Sequence, residues 1–199
     1  MNHLYQIAPH PCINDFINQT KGSNEIILEI GAGYGNSADQ FIKHNYSKII
    51  LNDSDDQKIE HMQNKFKNNK NVTFKKSKTA HKIVMKNESI TGIYCTNIIH
   101  FLNNTDIKQF LNNCFMILKP GGIIGIGAVS IFAHKKMLKN IGIQSSFDIK
   151  SMSDILDENN FLPLSIELCK CSYPKSYQIF NDNNCDNNVF IIAKKMEIF

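Results

Sequence analysis

Ile26-Ile-Leu-Glu-Ile-Gly-Ala-Gly-Tyr-Gly35 is the stretch on which the reading of this chain turns. It opens with three consecutive apolar residues, and Ile49-Ile50-Leu51 repeats that pattern. Strands buried on both faces read this way, which predicts a parallel sheet covered by helices. The glycines that follow permit a tight turn and let a ligand approach the backbone. A helix expected over Asn36–His44 would then present free N–H groups to an anionic group. Asp53 lies 22 residues after Gly31, at the end of the next expected strand. A carboxylate there can take both hydroxyls of a ribose. A nucleotide-type site at the Gly31–Gly35 turn and Asp53 follows. A plain strand–helix turn with a capping Asp is the alternative.

Outward from this stretch, β-branched runs alternate with helical periodicity. Strands are expected at Ile26–Ile30, Lys48–Asn52, Val72–Lys75, Gly92–Thr96, Ile123–Ala128, Leu164–Cys171 and Val189–Ala193. Helices are expected over Asp55–Lys67 and Thr105–Leu118, the latter with Ile107, Phe110, Leu111, Cys114 and Leu118 on one stripe. Ser151-Met-Ser-Asp154 fits a capping box, and Asn160 suits the left-handed position closing that helix. The alternation predicts an α/β fold with right-handed crossovers. Tyr173–Asn188, between the last two strands, reads as a loop. Those strands are therefore expected to pair antiparallel.

Length and composition bound the answer. At 199 residues the chain corresponds to about one domain. Residues 1–24 are read as a cap or lid segment and residues 25–199 as the main domain. Apolar residues make up 42 % and charged residues 20 %, an ordinary globular balance. No apolar run reaches the ~18–20 residues of a membrane span. The N-terminus lacks the pattern of a secretory signal. A soluble, cytoplasmic protein is expected, with no membrane partner. The net charge is +4, every basic residue among the 22 is lysine, and there is no arginine. Arginine is the usual bidentate reader of guanine and phosphate, so sequence-specific nucleic-acid binding is disfavoured. The clusters Lys75, Lys76, Lys78, Lys82 and Lys135, Lys136, Lys139 read as solvated faces. Six cysteines stand at 12, 95, 114, 169, 171 and 185, with no CxxC pair. Cys169 and Cys171 alternate along an expected strand and share a face, where half a metal site or a redox pair is the alternative to a structural role. No second ligand pair has standard spacing, so no metal is expected.

Further motifs carry a resemblance. Cys95-Thr-Asn-Ile-Ile-His-Phe-Leu102 runs out of the fourth expected strand, with Asn97 at its end and His100 just beyond, and Leu118-Lys-Pro-Gly-Gly122 precedes the fifth. Together with Ile27–Gly35 and Asp53, these resemble the class I S-adenosylmethionine-dependent methyltransferases from about Ile26 to Ala193. The resemblance implies a Rossmann-like sheet of seven strands, mostly parallel, ending in an antiparallel hairpin, with helices on both faces. It implies S-adenosylmethionine as cofactor, held by Glu29, Gly31, Ala32, Gly33, Gly35, Asp53, Ser54, Thr79 and Asn97. Lys78 stands where the family often has an acid for the adenine amino group. An ammonium cannot accept a hydrogen bond, so Ser77, Thr79 or a backbone carbonyl is expected to substitute. Gly92 stands where the fourth strand often opens with Asp. The adenine slot is expected to be mostly apolar, closed by Thr79 or Ala80 and by Asn52 or Ser54.

Methyl transfer needs alignment, and a base where the acceptor must lose a proton. His100 and Asn97 are the candidate catalytic residues, His100 as base and Asn97 orienting the acceptor. A core His100 and a strand-capping Asn97 are the plainer alternatives. Met1–Thr20, with Tyr5, Ile7, His10, Phe16 and Ile17, is expected to form a helix covering the cofactor. Ile131–Phe147 is expected to bind the substrate. A small-molecule acceptor is favoured because no recognition domain is appended. A protein or RNA acceptor, a cofactor-binding module without catalysis, and a nucleotide-dependent oxidoreductase remain as alternatives.

Overall fold

The computed structural model describes residues 9–22, 24–77, 79–132, 142–169 and 188–197. The described strands form one sheet of seven in the order β3-β2-β1-β4-β5-β7-β6. They are β1 Ile26–Ile30, β2 Lys48–Asp53, β3 Val72–Lys76, β4 Ile90–Thr96, β5 Leu118–Val129, β6 Phe161–Cys169 and β7 Asn188–Lys195. The β1–β2, β2–β3, β1–β4 and β4–β5 pairs are parallel, and β7 runs antiparallel to both β5 and β6. This is the expected architecture, with the reversal of strand order falling between β1 and β4.

The helices are α1 Ile13–Thr20, α2 Ala38–Lys43, α3 Asp56–Lys65, α4 Asn104–Ile117 and α5 Ile149–Asp157. Alternate side chains of each strand supply two apolar layers. Leu28, Ile93 and Ile124 pack with Phe110 and Leu111 of α4 and with Leu156 of α5. Ile27, Tyr94 and Phe190 pack on the other face with Phe16 of α1, Phe41 of α2 and Met62 of α3. Such dual-face burial is why β1 and β2 read as continuous apolar runs.

Four local details differ from expectation. Gly33–Ser37 form a turn and α2 starts at Ala38, because Gly35 sits at φ +71° and ends any earlier helical path. The cap of α5 is Asp148, whose side chain accepts the Ser151 N–H at 2.7 Å while Ser151 Oγ accepts the Asp148 N–H at 2.9 Å. The box therefore begins three residues before Ser151. Leu118–Gly122 belongs to β5, entered directly from α4, with a register shift between Ile90 and Gly92 of β4 that accommodates Pro120 and Gly121. Finally, α1 is a core helix: Phe16 is fully buried over Gly92 and Gly125, where a Cβ would come within 3.0 Å and 2.7 Å of its ring. Asn160 closes α5 in the left-handed region at φ 64°, as expected. Tyr5, Ile7, Lys78, Cys171, Cys185 and the Lys135–Lys139 cluster lie outside the described residues.

Candidate functional site

A cavity of about 660 Å³ opens at the carboxyl ends of β1, β2 and β4. In an open α/β sheet this is where the strand order reverses and where ligands bind. The glycine turn after β1 forms its floor. Gly31, Ala32 and Gly33 line it, as do Tyr34, Asn36 and Ser37. Gly33 has φ +58°, and a Cβ there would meet nothing within 4 Å, so the open space belongs to the cavity. Gly35 is not on the wall. A Cβ at Gly35 would lie 2.5 Å from the Phe66 ring, so that glycine serves the packing of the turn against the end of α3 rather than a ligand.

Asp53 ties this turn to β2. Its Oδ2 accepts the Gly33 N–H at 2.9 Å and its Oδ1 accepts the Asp55 N–H at 3.0 Å. Lys58 Nζ lies 3.8 Å from Oδ1. A carboxylate offers about four lone-pair sites, so both oxygens keep capacity toward the cavity they line. Asp53 therefore shapes the turn as well as lining the cavity.

Two polar atoms on the wall lack partners among the described residues: Glu29 Oε2 and Thr79 Oγ1, both buried. Burial pushes the Glu29 carboxyl up to about 8, opposed by its hydrogen bond with Ser37 and by Lys65. Buried polar groups are normally paired, so an unpaired carboxyl oxygen and an unpaired hydroxyl on two residues that line the cavity stand out. Asn52, Ser54, Ser77 and Ala80 share the wall with Thr79. The Asn52 side-chain amide donates to the Lys75 carbonyl at 2.8 Å and to Ser77 Oγ at 2.9 Å, which fixes the loop after β3 against β2.

The end of β4 supplies the other wall. Asn97 sits at φ 60° with its N–H donating to the Gly127 carbonyl at 2.8 Å. Asparagine tolerates this left-handed conformation better than most residues. Its Oδ1 accepts from Asn188 Nδ2 at 3.2 Å, and Asn188 Oδ1 lies 3.1 Å from His10 Nε2. Asn97, Ile98, Phe101 and Leu102 line the cavity, together with Pro9, His10 and Pro11.

His100 does not line it. The ring is 2 % exposed, and Nδ1 accepts the Val129 N–H at 3.2 Å. Its carbonyl accepts the N–H groups of Gln144 and Ser145. Burial lowers its pKa to about 4. The expectation of a base at position 100 is corrected on this geometry: the side chain turns into the core and holds the loop after β4 against β5.

Residues 27–122 match the family model described as a methyltransferase domain. The matched span runs from β1 to the start of β5 and holds the glycine turn, Asp53 and Asn97. Solved structures of the same fold include an S-adenosylmethionine-dependent methyltransferase from Mesorhizobium loti (TM-score 0.74, 12 % identity, covering 93 % of this chain and 96 % of that one). Phosphoethanolamine N-methyltransferase 2 from Haemonchus contortus, solved with S-adenosyl-L-methionine, gives TM-score 0.76 and 14 % identity over 93 % of this chain and 52 % of that one. The [4+2]-cyclase SpnF gives 0.74 and 13 % identity over 92 % and 79 %. These identities establish the fold alone. No curated protein matches the chain by sequence.

The cavity offers polar groups of the kind S-adenosylmethionine, the cofactor that the sequence resemblance implies, would need. The unpaired Glu29 oxygen suits a cationic or N–H donor. The Asp53 carboxylate suits hydroxyls, and Thr79 Oγ1 suits a heterocyclic amine or ring nitrogen. The uncrowded Gly33 position admits close approach of a ligand to the backbone. Of the residues singled out in sequence, Glu29, Gly31, Ala32, Gly33, Asp53, Ser54, Thr79 and Asn97 meet on one cavity, while Gly35 and His100 do not. Pro9, His10, Pro11, Phe101 and Leu102 are wall residues to which the sequence assigned no individual role. The only available signal was the apolar N-terminal segment, whose helix packs in the core while the residues before it reach the cavity.

Proposed function

We propose that this protein transfers the methyl group of S-adenosylmethionine to a small-molecule acceptor. The observation that carries the reading is the coincidence of the glycine turn, Asp53 and the two unpartnered polar atoms, Glu29 Oε2 and Thr79 Oγ1, on one cavity wall. The bound cofactor supplies an activated sulfonium methyl, so the protein's task is to hold two reactants in line. Asp53 would take the ribose, Glu29 the cationic end of the methionyl part, and Thr79 with Asn52, Ser54 and Ala80 the adenine. An ionised Glu29 becomes favourable once a cation arrives beside it, offsetting the burial that otherwise raises its pKa.

The acceptor would lie between the end of β4 and the Pro9–Pro11 segment. Phe101, which is 40 % exposed, offers an apolar platform with Ile98 and Leu102, and Asn97 offers a polar contact. An acceptor with an apolar body and one polar group fits this lining. With His100 turned into the core, an acceptor nucleophile that is already neutral and lacks a proton to lose fits best, since alignment then suffices.

Binding without methyl transfer is the second reading. It is favoured by the withdrawal of His100 and by the presence of a cyclase among proteins of this fold. Calorimetry with S-adenosylmethionine, followed by turnover assays across metabolite pools that track the demethylated cofactor, separates the readings. Binding with turnover supports methyl transfer, binding with no turnover on any pool supports the module, and no binding defeats both.

A further inference from the structure

Outside the glycine turn, a second cluster of chemically active side chains joins the N-terminal segment to the sheet. His10 is 6 % exposed and Cys12 is 5 % exposed. The His10 ring stacks on Phe190 of β7 at 4.7 Å. It also lies over Gly127 of β5, where a Cβ would come within 3.3 Å of Nε2. The absence of a side chain at position 127 makes room for that ring. Cys169 ends β6, opposite Asn188 of β7. Its Sγ lies 3.5 Å from His10 Nε2. One ligand atom from each of His10, Cys12 and Cys169 lies within 4.8 Å of the other two. A second trio, Cys12, Asp15 and Glu167, shares Cys12 and satisfies the same separation. Glu167 Oε2 is 3.8 Å from Cys12 Sγ, on the same face of β6 as Cys169.

We propose that His10, Cys12 and Cys169 form a zinc site that clasps the N-terminal segment to the edge of the sheet. The Cys169–His10 separation agrees with a tetrahedral ion. Zinc bonds of about 2.3 Å to sulfur and about 2.05 Å to nitrogen, at tetrahedral angles, put those two ligand atoms about 3.5 Å apart. That is the Cys169–His10 distance. Two thiolates and one imidazole are a donor set that selects zinc among the available divalent metals. Water fills the fourth position, and the carboxylates of Asp15 and Glu167 beside Cys12 add a field that favours a cation.

Protons balance in a simple way. Each thiol loses its proton to solvent on binding. His10 coordinates through Nε2 and keeps one proton on Nδ1, giving up the 3.3 Å contact from the Cys12 N–H and the 3.1 Å contact with Asn188 Oδ1. Because Pro9, His10 and Pro11 line the main cavity, the clasp fixes one of its walls. The proposal uses residues apart from the glycine turn and stands whether or not methyl transfer is found.

The test is elemental analysis of the full chain purified from zinc-supplemented medium without chelators, where about one zinc per chain is expected. Cys12→Ser and Cys169→Ser should each lower retained zinc at least ~10-fold, with folding checked by circular dichroism. The metal-stripped wild-type chain titrated with Co²⁺ should show a thiolate-to-cobalt charge-transfer band and tetrahedral d–d bands at one equivalent. This second readout decides the matter if the serine variants misfold. The proposal is overturned by wild-type protein that neither retains zinc nor gives the cobalt bands. It is equally overturned by undiminished zinc in the folded serine variants, or by an intact mass two hydrogens light with Cys12 joined to Cys169.

Discussion

Replacing Asp53 by alanine should damage stability and ligand binding together, and the structure gives the size of each. The carboxylate accepts two backbone N–H groups, from Gly33 at 2.9 Å and from Asp55 at 3.0 Å, and the residue is 5 % exposed. Hydrogen bonds to a charged group contribute roughly 1.5–3 kcal/mol each, and stranding a buried donor costs about 1–3 kcal/mol. Partial access of solvent through the cavity lowers the sum, so about 2–4 kcal/mol is expected for the pair. In a domain of this size that corresponds to a fall in Tm of roughly 5–15 °C. Ligand affinity should fall further, because the Gly33 turn loses its tether and the ribose loses its acceptor. Thermal unfolding of the apo protein measures the first effect, and calorimetry with S-adenosylmethionine at a temperature where the variant is folded measures the second. An unchanged Tm would refute the tether. A lowered Tm with unchanged affinity would keep the tether and refute Asp53 as a ligand residue.

Glu29, with its folded pKa raised to about 8 from an ordinary 4.5, binds a proton in the folded state that the unfolded state has released. Its contribution to stability is therefore present below about pH 4.5 and is lost as pH rises toward 8, at no more than about 1.4 kcal/mol per pH unit. Glu29→Gln should remove that slope in urea titrations of the apo protein across this range, and an unaltered slope contradicts the assignment. His100 acts in the opposite sense: with a folded pKa near 4, its contribution is lost as pH falls from 6.5. His100→Ala should cost about 2–4 kcal/mol through lost packing and the stranded Val129 N–H, yet leave cofactor affinity nearly unchanged; a large affinity loss in folded variant would return this residue to the site. Gly33→Ala and Gly35→Ala should separate, the first lowering cofactor affinity with about 1 kcal/mol of strain, the second destabilising the fold against Phe66. Equal effects of the two on calorimetric affinity would count against the placement of the cavity.

The sheet was legible because its signals are local. Ile26–Leu28 and Ile49–Leu51 carry the dual-face burial of parallel strands within three residues each, and the glycine turn lies next to the strand it terminates. Boundaries slipped where a local pattern had two solutions. Ser151 looked like a cap because serine and an acid stood three apart, but Asp148 offered a competing box that also engages Ser151. Leu118–Gly122, placed by resemblance before the fifth strand, lies within it, because a shift of register lets the strand run through Pro120 and Gly121.

What the sequence by itself determined is the set of contacts made between neighbouring elements of the chain: the parallel strands, the glycine turn, and the acid at the end of the next strand that faces it. Those follow from side-chain period and backbone sterics, which need no knowledge of distant residues. The tertiary structure alone decided which way His100 turns, since three positions beyond Asn97 a 3₁₀ turn over Ile99–Phe101 carries it beneath the loop and into the core. It also decided that Gly35 packs on Phe66 and that His10 and Cys12 meet Cys169. The last of these pairs residues more than 150 positions apart, through the antiparallel return of β7 between β5 and β6. No spacing rule along the chain encodes such a meeting, because it is set by strand order and register.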